Sequence, residues 1–314
     1  MSILVTGGSG MIASRIVRDL VRNGEEVVCT DLVMDEEVLN YVLTDEDRKH
    51  ITFVKQNILD HDAVLATCKE NGVDKIVHCA SMMGNAKNPI QSTHVNTGGM
   101  ITILEVAREL NVKKVVYSST NSVYNTQNPK FLPNDAPFDP DTLYGCTKAF
   151  NEYVANLYYN KYDLDITGIR ISALVYGPLQ RRGISGMIAT EALYKPATGQ
   201  PGRCPYNDFG SWMLVDDVAR AHVMALNLKR RPYMAGAYNI RGTVVDFPAM
   251  GEFVKSLVPD ADVEFADAKF NQVYVNCDTT VTENELGFKP EWDIWDGFRF
   301  VINESRKAAG LPTV

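Results

Sequence analysis

No stretch of the 314 residues approaches the roughly 18 consecutive apolar residues that a membrane-spanning helix requires. Basic residues are in deficit, with 31 Lys and Arg against 39 Asp and Glu and a net charge of −8. That balance argues against nucleic acid or an anionic membrane as the main partner. It does not exclude an anionic small molecule, which answers to local charge. Cysteine is sparse: Cys29, Cys68, Cys79, Cys146, Cys204 and Cys277 are scattered without a C-x-x-C pair, the pattern of reduced core thiols in a cytosolic protein. Cys146 reads as filler packed against a sheet. The five histidines (50, 61, 78, 94 and 222) lack metal-ligand spacing and form no H-E-x-x-H, so no metal is expected. Repeats and low-complexity linkers are also missing. The first residues, Ser2-Ile3-Leu4-Val5, read as a strand with no basic leader before it, and the expected location is the cytoplasm.

What is present is ordinary globular material, 45% hydrophobic and 22% charged. The length accommodates a nucleotide domain with a smaller lobe. Apolar runs alternating with amphipathic segments predict an α/β fold, a Rossmann-type doubly wound parallel sheet with a smaller C-terminal substrate-binding lobe. Strand 2–6 leads into Thr6-Gly7-Gly8-Ser9-Gly10-Met11-Ile12-Ala13 and a helix ending near Asn23. Glycines there let the backbone turn tightly and approach a pyrophosphate, whose charge then sits on a helix N-terminus. The next strand, Glu26–Thr30, ends at Asp31. A carboxylate at that point accepts from the adenosine ribose hydroxyls and repels a 2′-phosphate. With no Lys or Arg until Arg48, NAD is expected rather than NADP. Residues 34–50, rich in acid, read as a solvated helix and loop.

The central stretch runs from Val115 to Lys148. An apolar strand ends in Ser118-Ser119-Thr120, and a Pro-rich loop leads to Tyr144-Gly145-Cys146-Thr147-Lys148 at the start of a long helix. Tyr144 and Lys148 are four apart and share a helix face. An ammonium beside a phenol favours the phenolate, so Tyr144 can exchange a proton with an alcohol near neutral pH. Thr120, at the C-terminal end of its strand, can hydrogen-bond the same oxygen.

Ser118-Ser119-Thr120-Asn121-Ser122-Val123-Tyr124 followed by Tyr144-x-x-x-Lys148 resembles the extended short-chain dehydrogenase/reductase superfamily, which includes the NAD-dependent sugar epimerases and dehydratases. The resemblance extends over almost the whole chain. The G-x-x-G-x-x-A spacing from Gly7 is similar to that superfamily's dinucleotide loop. Lys75–Ser81 resembles its segment under the cofactor, with His78 a core residue. Trp212–Ala219 resembles its V-D-D-V-A helix start, with Asp216 or Asp217 as N-cap. The resemblance implies Tyr144, Lys148 and Thr120 as catalytic residues. It implies cofactor contacts from Gly7, Ser9, Gly10, Met11, Ile12, Asp31, Asn57, Ile58, Cys79, Ala80, Ser81, Asn96, Ser118, Tyr144 and Lys148. Asp60 either contacts the adenine edge or caps the following helix. Substrate contacts are expected from Met83, Thr120, Asn121, Ser172, Arg181 and Arg182, with Arg203 a further anion-binding candidate. Residues 1–178 are expected to form the NAD-binding domain. Residues 179–314 mainly form the substrate lobe, with segments near 211–240 returning to the first domain. Aromatics on the helix 142–162 suggest a subunit contact, and a homodimer is expected.

Departures from the superfamily pattern narrow the function. Dehydratases place Asp-Glu after the catalytic Thr, where this chain has Asn121-Ser122. Nucleotide-sugar enzymes carry an Asn after the sixth strand and an Arg two residues before an aromatic. Here Ser172-Ala173 and Gly210 occupy those places. The expected function is hydride transfer between NAD and a secondary alcohol of a sugar, sugar acid or small polyol. The alternative is an epimerase of nucleotide sugars that retains its NAD; a more distant one is a non-catalytic NAD sensor.

Overall fold

Helices cover both faces of the main sheet, which is why its strands are apolar on both sides. The computed structural model describes residues 1–83, 88–125, 131–180, 183–229, 236–270 and 277–314. The first half alternates regularly: β1 (Ser2–Thr6), α1 (Met11–Arg22), β2 (Glu26–Asp31), α2 (Glu36–Val42), α3 (Asp45–Arg48), β3 (Ile51–Lys55), α4 (His61–Glu70) and β4 (Val73–His78). Then come α5 (Pro89–Leu110), β5 (Lys114–Thr120), α6 (Leu143–Tyr162), β6 (Ile166–Ser172) and β7 (Leu174–Tyr176). The remainder is α7 (Gly183–Ala189), α8 (Lys195–Ala197), β8 (Gly202–Cys204), β9 (Phe209–Leu214), α9 (Val215–Leu226), β10 (Gly236–Arg241), β11 (Thr243–Asp246), α10 (Phe247–Leu257), β12 (Val263–Phe265) and α11 (Ile294–Ala308).

Seven strands pair in the order β10-β6-β5-β4-β1-β2-β3, every pair parallel. Alternate side chains go to opposite faces. Ile3, Val5, Val77, Val116 and Ile169 therefore pack with α1 and α9, while Leu4, Ile76, Val115, Tyr117 and Ile166 pack with α4, α5 and α6. The strand order reverses at β1, between β2 and β4, so a crevice opens at their C-terminal ends. This is the Rossmann-type sheet expected of the sequence. β10 and α9 belong to this layer although they follow β7 and α7 in the chain.

A second core forms around Trp212, Tyr176, Phe247 and Phe298, whose rings meet edge-on or tilted. It underlies a three-stranded sheet, β11-β9-β7, and the pair β12-β8. Between α7 and α8 the helix widens to a π turn at Thr190–Tyr194, just before Pro196, which has no N–H to continue an α ladder.

Two local expectations are corrected. Leu214 is the N-cap of α9, without a side-chain cap. Asp217 is instead buried and accepts from the Glu291 and Trp292 amides, and Asp216 pairs with Arg18 at 2.7 Å. Nor is the acidic stretch 34–50 simply wet. Asp47 is buried, completes a capping box with Thr44 and pairs with Arg22 at 2.9 Å.

Candidate active site

The crevice at the sheet's C-terminal edge encloses about 610 Å³. Gly7, Ser9, Gly10, Asp31, Asn57, Ile58, Cys79, Ala80 and Ser81 line it, and Met11 and Ile12 open α1. Gly7 has φ +66, and a Cβ there would come within 2.9 Å of Ala80 N and Cα. Only glycine satisfies both demands. Gly10, the N-cap of α1, offers no side chain to its first amides, and the first turn holds no acid. Those amides therefore remain donors for an anion. Asp31 is held in the crevice by Ser9, which donates from its hydroxyl (2.7 Å) and amide (3.2 Å), and by the Leu32 amide at 2.8 Å. A glycine cradle, an uncapped helix start and an oriented carboxylate fit NAD.

β5, a 3₁₀ turn at Asn121–Val123 and α6 build the second part of the site. Thr142 caps α6 by accepting from the Gly145 amide at 3.0 Å. A Cβ on Gly145 would lie 2.0 Å from Ser122 O, so glycine lets the helix start against the turn that follows Thr120. Tyr144 and Lys148 then project from one face, with the Lys148 Nζ 5.6 Å from the Tyr144 ring centroid. Lys148 is buried and donates to Ser118 O at 3.0 Å. Burial pulls its pKa down to about 8, against the opposing influence of Cys79 and Glu152. It is thus still an ammonium at pH 7, and loses that charge as pH rises through about 8. Thr120 Oγ1 accepts from the Ser122 amide at 3.1 Å and lies 3.2 Å from Ser122 Oγ. The amide occupies a lone pair, so the hydroxyl proton can be turned toward another acceptor.

Asn96, on α5, donates to Met82 O and Thr147 Oγ1 and accepts from Met82 N. It ties the turn after β4 to α6. Ile58 and Leu59 lie against Gly99 and Gly98, which explains two glycines inside α5. His78 is a satisfied core residue: its Nδ1 lies 2.8 Å from Thr6 Oγ1, and burial, aided by the Lys148 charge, lowers its pKa to about 3.

The expected substrate residues are less gathered. Met83 is 63% exposed and faces the start of α7, with its Cε 3.4 Å from where a Gly183 Cβ would lie. Asn121 is buried in the 3₁₀ turn. Ser172 is fully buried at the end of β6. Arg181 and Arg182 lie outside the described residues. Arg203 does hold a carboxylate, but it is the chain's own Asp262, at 2.8 and 3.0 Å. Asp60 caps α4 by accepting from the Ala63 amide at 3.1 Å. Cys146 is exposed on α6 rather than packed on the sheet.

Sequence reading missed several groups. Leu32–Glu36, Gln56 and Gln91 also line the crevice; the acidic run concealed Asp35 and Glu36. Glu152, one turn beyond Lys148, forms a buried pair with Arg170 of β6 (2.6 Å) and accepts from Ser119 Oγ at 2.6 Å. His222 of α9 lies 2.9 Å from Ser118 Oγ. The Y-x-x-x-K-x-x-x-E spacing signals Glu152; nothing local signals His222.

Known proteins resemble this chain in sequence and fold. A putative UDP-glucose 4-epimerase of Methanocaldococcus jannaschii is 29% identical over 96% of this chain and 97% of its own. A UDP-glucose 4-epimerase of Mycolicibacterium smegmatis is 33% identical over 72% of this chain and 73% of its own. The solved structure of the Thermus thermophilus UDP-glucose 4-epimerase in complex with NAD superimposes with a TM-score of 0.80 at 25% identity, covering 98% of this chain and 100% of that one. The profile of one family matches residues 3–240. By that match, this chain is an enzyme of the NAD dependent epimerase/dehydratase family.

Proposed function

We propose that the protein oxidises a secondary alcohol of a sugar, sugar acid or small polyol and releases the reduced cofactor, as an NAD-dependent dehydrogenase. The observation that carries this reading is the Tyr144–Lys148 pair on one face of α6, beside Thr120 at the end of β5 and next to the dinucleotide crevice. Tyr144 takes the alcohol proton. Lys148 lowers the energy of the phenolate and hydrogen-bonds the nicotinamide ribose, and Thr120 turns its hydroxyl to the substrate oxygen. Gly7, Gly10 and the α1 amides hold the pyrophosphate, and Asp31 the adenosine ribose. NAD, when bound, supplies the acceptor for the hydride.

Two positions favour a substrate without a nucleotide. Gly210 is walled in by Leu174 and Phe247, whose side-chain atoms would meet a Cβ at 2.6 and 3.2 Å, so a larger side chain there would have to displace them. Ser172, near the place of the expected Asn, is fully buried. The second reading, an epimerase acting on a nucleotide sugar without releasing NADH, is favoured by the names of the relatives. Incubation with excess NAD and a panel of sugars, sugar acids, hydroxy acids and UDP-sugars separates the two. Sustained NADH formation supports the dehydrogenase. A UDP-sugar converted without NADH overturns it in favour of the epimerase.

The working unit is a homodimer formed through α6. Cys146, Phe150, Tyr153 and Leu157 recur at helical spacing on one exposed face, with Tyr153 64% and Leu157 56% exposed. An apolar stripe of that length on a helix is the kind of surface a second copy covers. Sedimentation of the wild type is expected to give a dimer, and Tyr153→Glu with Leu157→Glu a monomer. A wild-type monomer, or a variant that remains a dimer, contradicts this interface.

A further inference from the structure

Ser118 and Ser119 are gripped from opposite faces of the sheet, one of them by an imidazole to which the proposed chemistry gives no part. Ser119 meets α6 through Glu152, and Ser118 meets α9 through His222, as the alternation of strand side chains requires. His222 is fully buried, and its Nδ1 lies 2.8 Å from Val218 O, one turn back on α9. A carbonyl only accepts, so Nδ1 carries the imidazole proton and Nε2 is left as an acceptor. The Ser118 hydroxyl therefore donates to Nε2 across 2.9 Å. The Cys79 sulfur lies 3.3 Å from the same oxygen. The carbonyl of this serine is the one that accepts the Lys148 ammonium at 3.0 Å.

We infer that His222 is a positioning residue for proton transfer: by fixing the Ser118 hydroxyl it holds the Ser118 carbonyl in place, and with it the Lys148 ammonium beside Tyr144. Burial lowers the His222 pKa to about 4, so the imidazole stays a neutral acceptor at any pH near 7. The other titratable groups facing Lys148 are Cys79 and His78 at the end of β4, and Tyr144 and Glu152 on its own helix. Burial pushes the Cys79 thiol up to about 11 and His78 down to about 3, so neither carries charge at pH 7. Glu152 is already engaged by Arg170. Position, more than a further charge, is what His222 contributes. If Ser118 is released, its carbonyl shifts, the bond to the ammonium weakens, and the phenolate of Tyr144 loses part of its support.

The inference rests on Tyr144 and Lys148 being the acid–base pair, and its test reads that pair without substrate. The Tyr144 phenol is titrated in NAD-loaded protein by tyrosinate difference absorbance, with a Tyr144→Phe counterpart in each background subtracting the other tyrosines. His222→Leu is expected to raise the Tyr144 pKa by about one unit, which is about tenfold less phenolate at pH 7. His222→Gln keeps an acceptor near the Nε2 position and is expected to restore the wild-type titration. Ser118→Ala cuts the same hydrogen bond by removing one oxygen, so it decides the matter even if His222→Leu does not fold. It should reproduce the His222→Leu shift, with no further shift in the double variant. An unmoved titration in Ser118→Ala overturns the inference. An ordinary phenol in the wild type overturns the acid–base reading beneath it, which is a distinguishable failure.

Discussion

Tyr144→Phe is expected to cut turnover by about 10²–10⁴-fold while NAD binds with nearly wild-type affinity. The substitution deletes one oxygen and keeps the ring, so the contact with Lys148 and the start of α6 survive. On the proposed reading, what is lost is the group that exchanges a proton with the alcohol, and general acid–base catalysis of this kind contributes roughly 10²–10⁴-fold. A drop in kcat of about that size, with the NAD dissociation constant within about twofold of wild type, is the expected pattern. In the wild type, alcohol oxidation should decline above about pH 8, where Lys148 loses its charge. Steady-state kinetics across pH and calorimetric titration of NAD check both parts. A Phe variant that turns over at normal speed contradicts the assignment of Tyr144.

Arg170→Met costs the fold more than any surface change, because it strands a carboxylate. Arg170 and Glu152 bury their side chains to 6% and 5% exposure and meet at 2.6 Å. Arg170 also donates to Tyr124 OH at 2.7 Å and to Asn134 O at 2.6 Å, linking β6 to the segment after β5. Breaking a buried pair from one side typically costs about 3–5 kcal/mol. Such a loss is a large share of a stability of roughly 5–15 kcal/mol. Glu152→Leu strands the guanidinium instead and is expected to cost a similar amount. Arg170→Met combined with Glu152→Leu should recover much of the loss, since no charge is then left alone. Chemical denaturation of the two single variants and the double variant checks this. Single variants that each cost under about 1 kcal/mol contradict this reading of the pair.

The fold was legible because its signals are local and repeat. Continuous apolar strands, the glycine turn after β1 and the long helix after Thr142 each announce an element without reference to the rest of the chain. The shared face of Tyr144 and Lys148 was legible for the same reason: residues four apart on one helix lie on one side of it. Asp31 needed only the end of one strand. Ser9, which holds its carboxylate, fell within the glycine motif. What stayed hidden depends on pairs far apart in sequence. His222 meets Ser118 across 104 residues and Arg170 meets Glu152 across 18, and neither contact has a periodic signature. The aspartates after β9 misled because acid at a helix start resembles a cap. Asp217 turns instead to the backbone of 291–292, an attachment visible only once the C-terminal segment is placed. Cys146 misled in a similar way: a thiol between two inward-facing residues lies on the opposite side of a helix, where α6 carries its exposed stripe.

In the proposed reaction, a hydride leaves a secondary alcohol for a cofactor that is then released. The most direct measurement uses the alcohol active in the panel, deuterated at its carbinol carbon, with excess NAD over many turnovers. The deuterium should appear in free NADH, one atom for each ketone formed. Deuterium retained in a product of inverted configuration, with no NADH in solution, would contradict the dehydrogenase and establish the epimerase in its place.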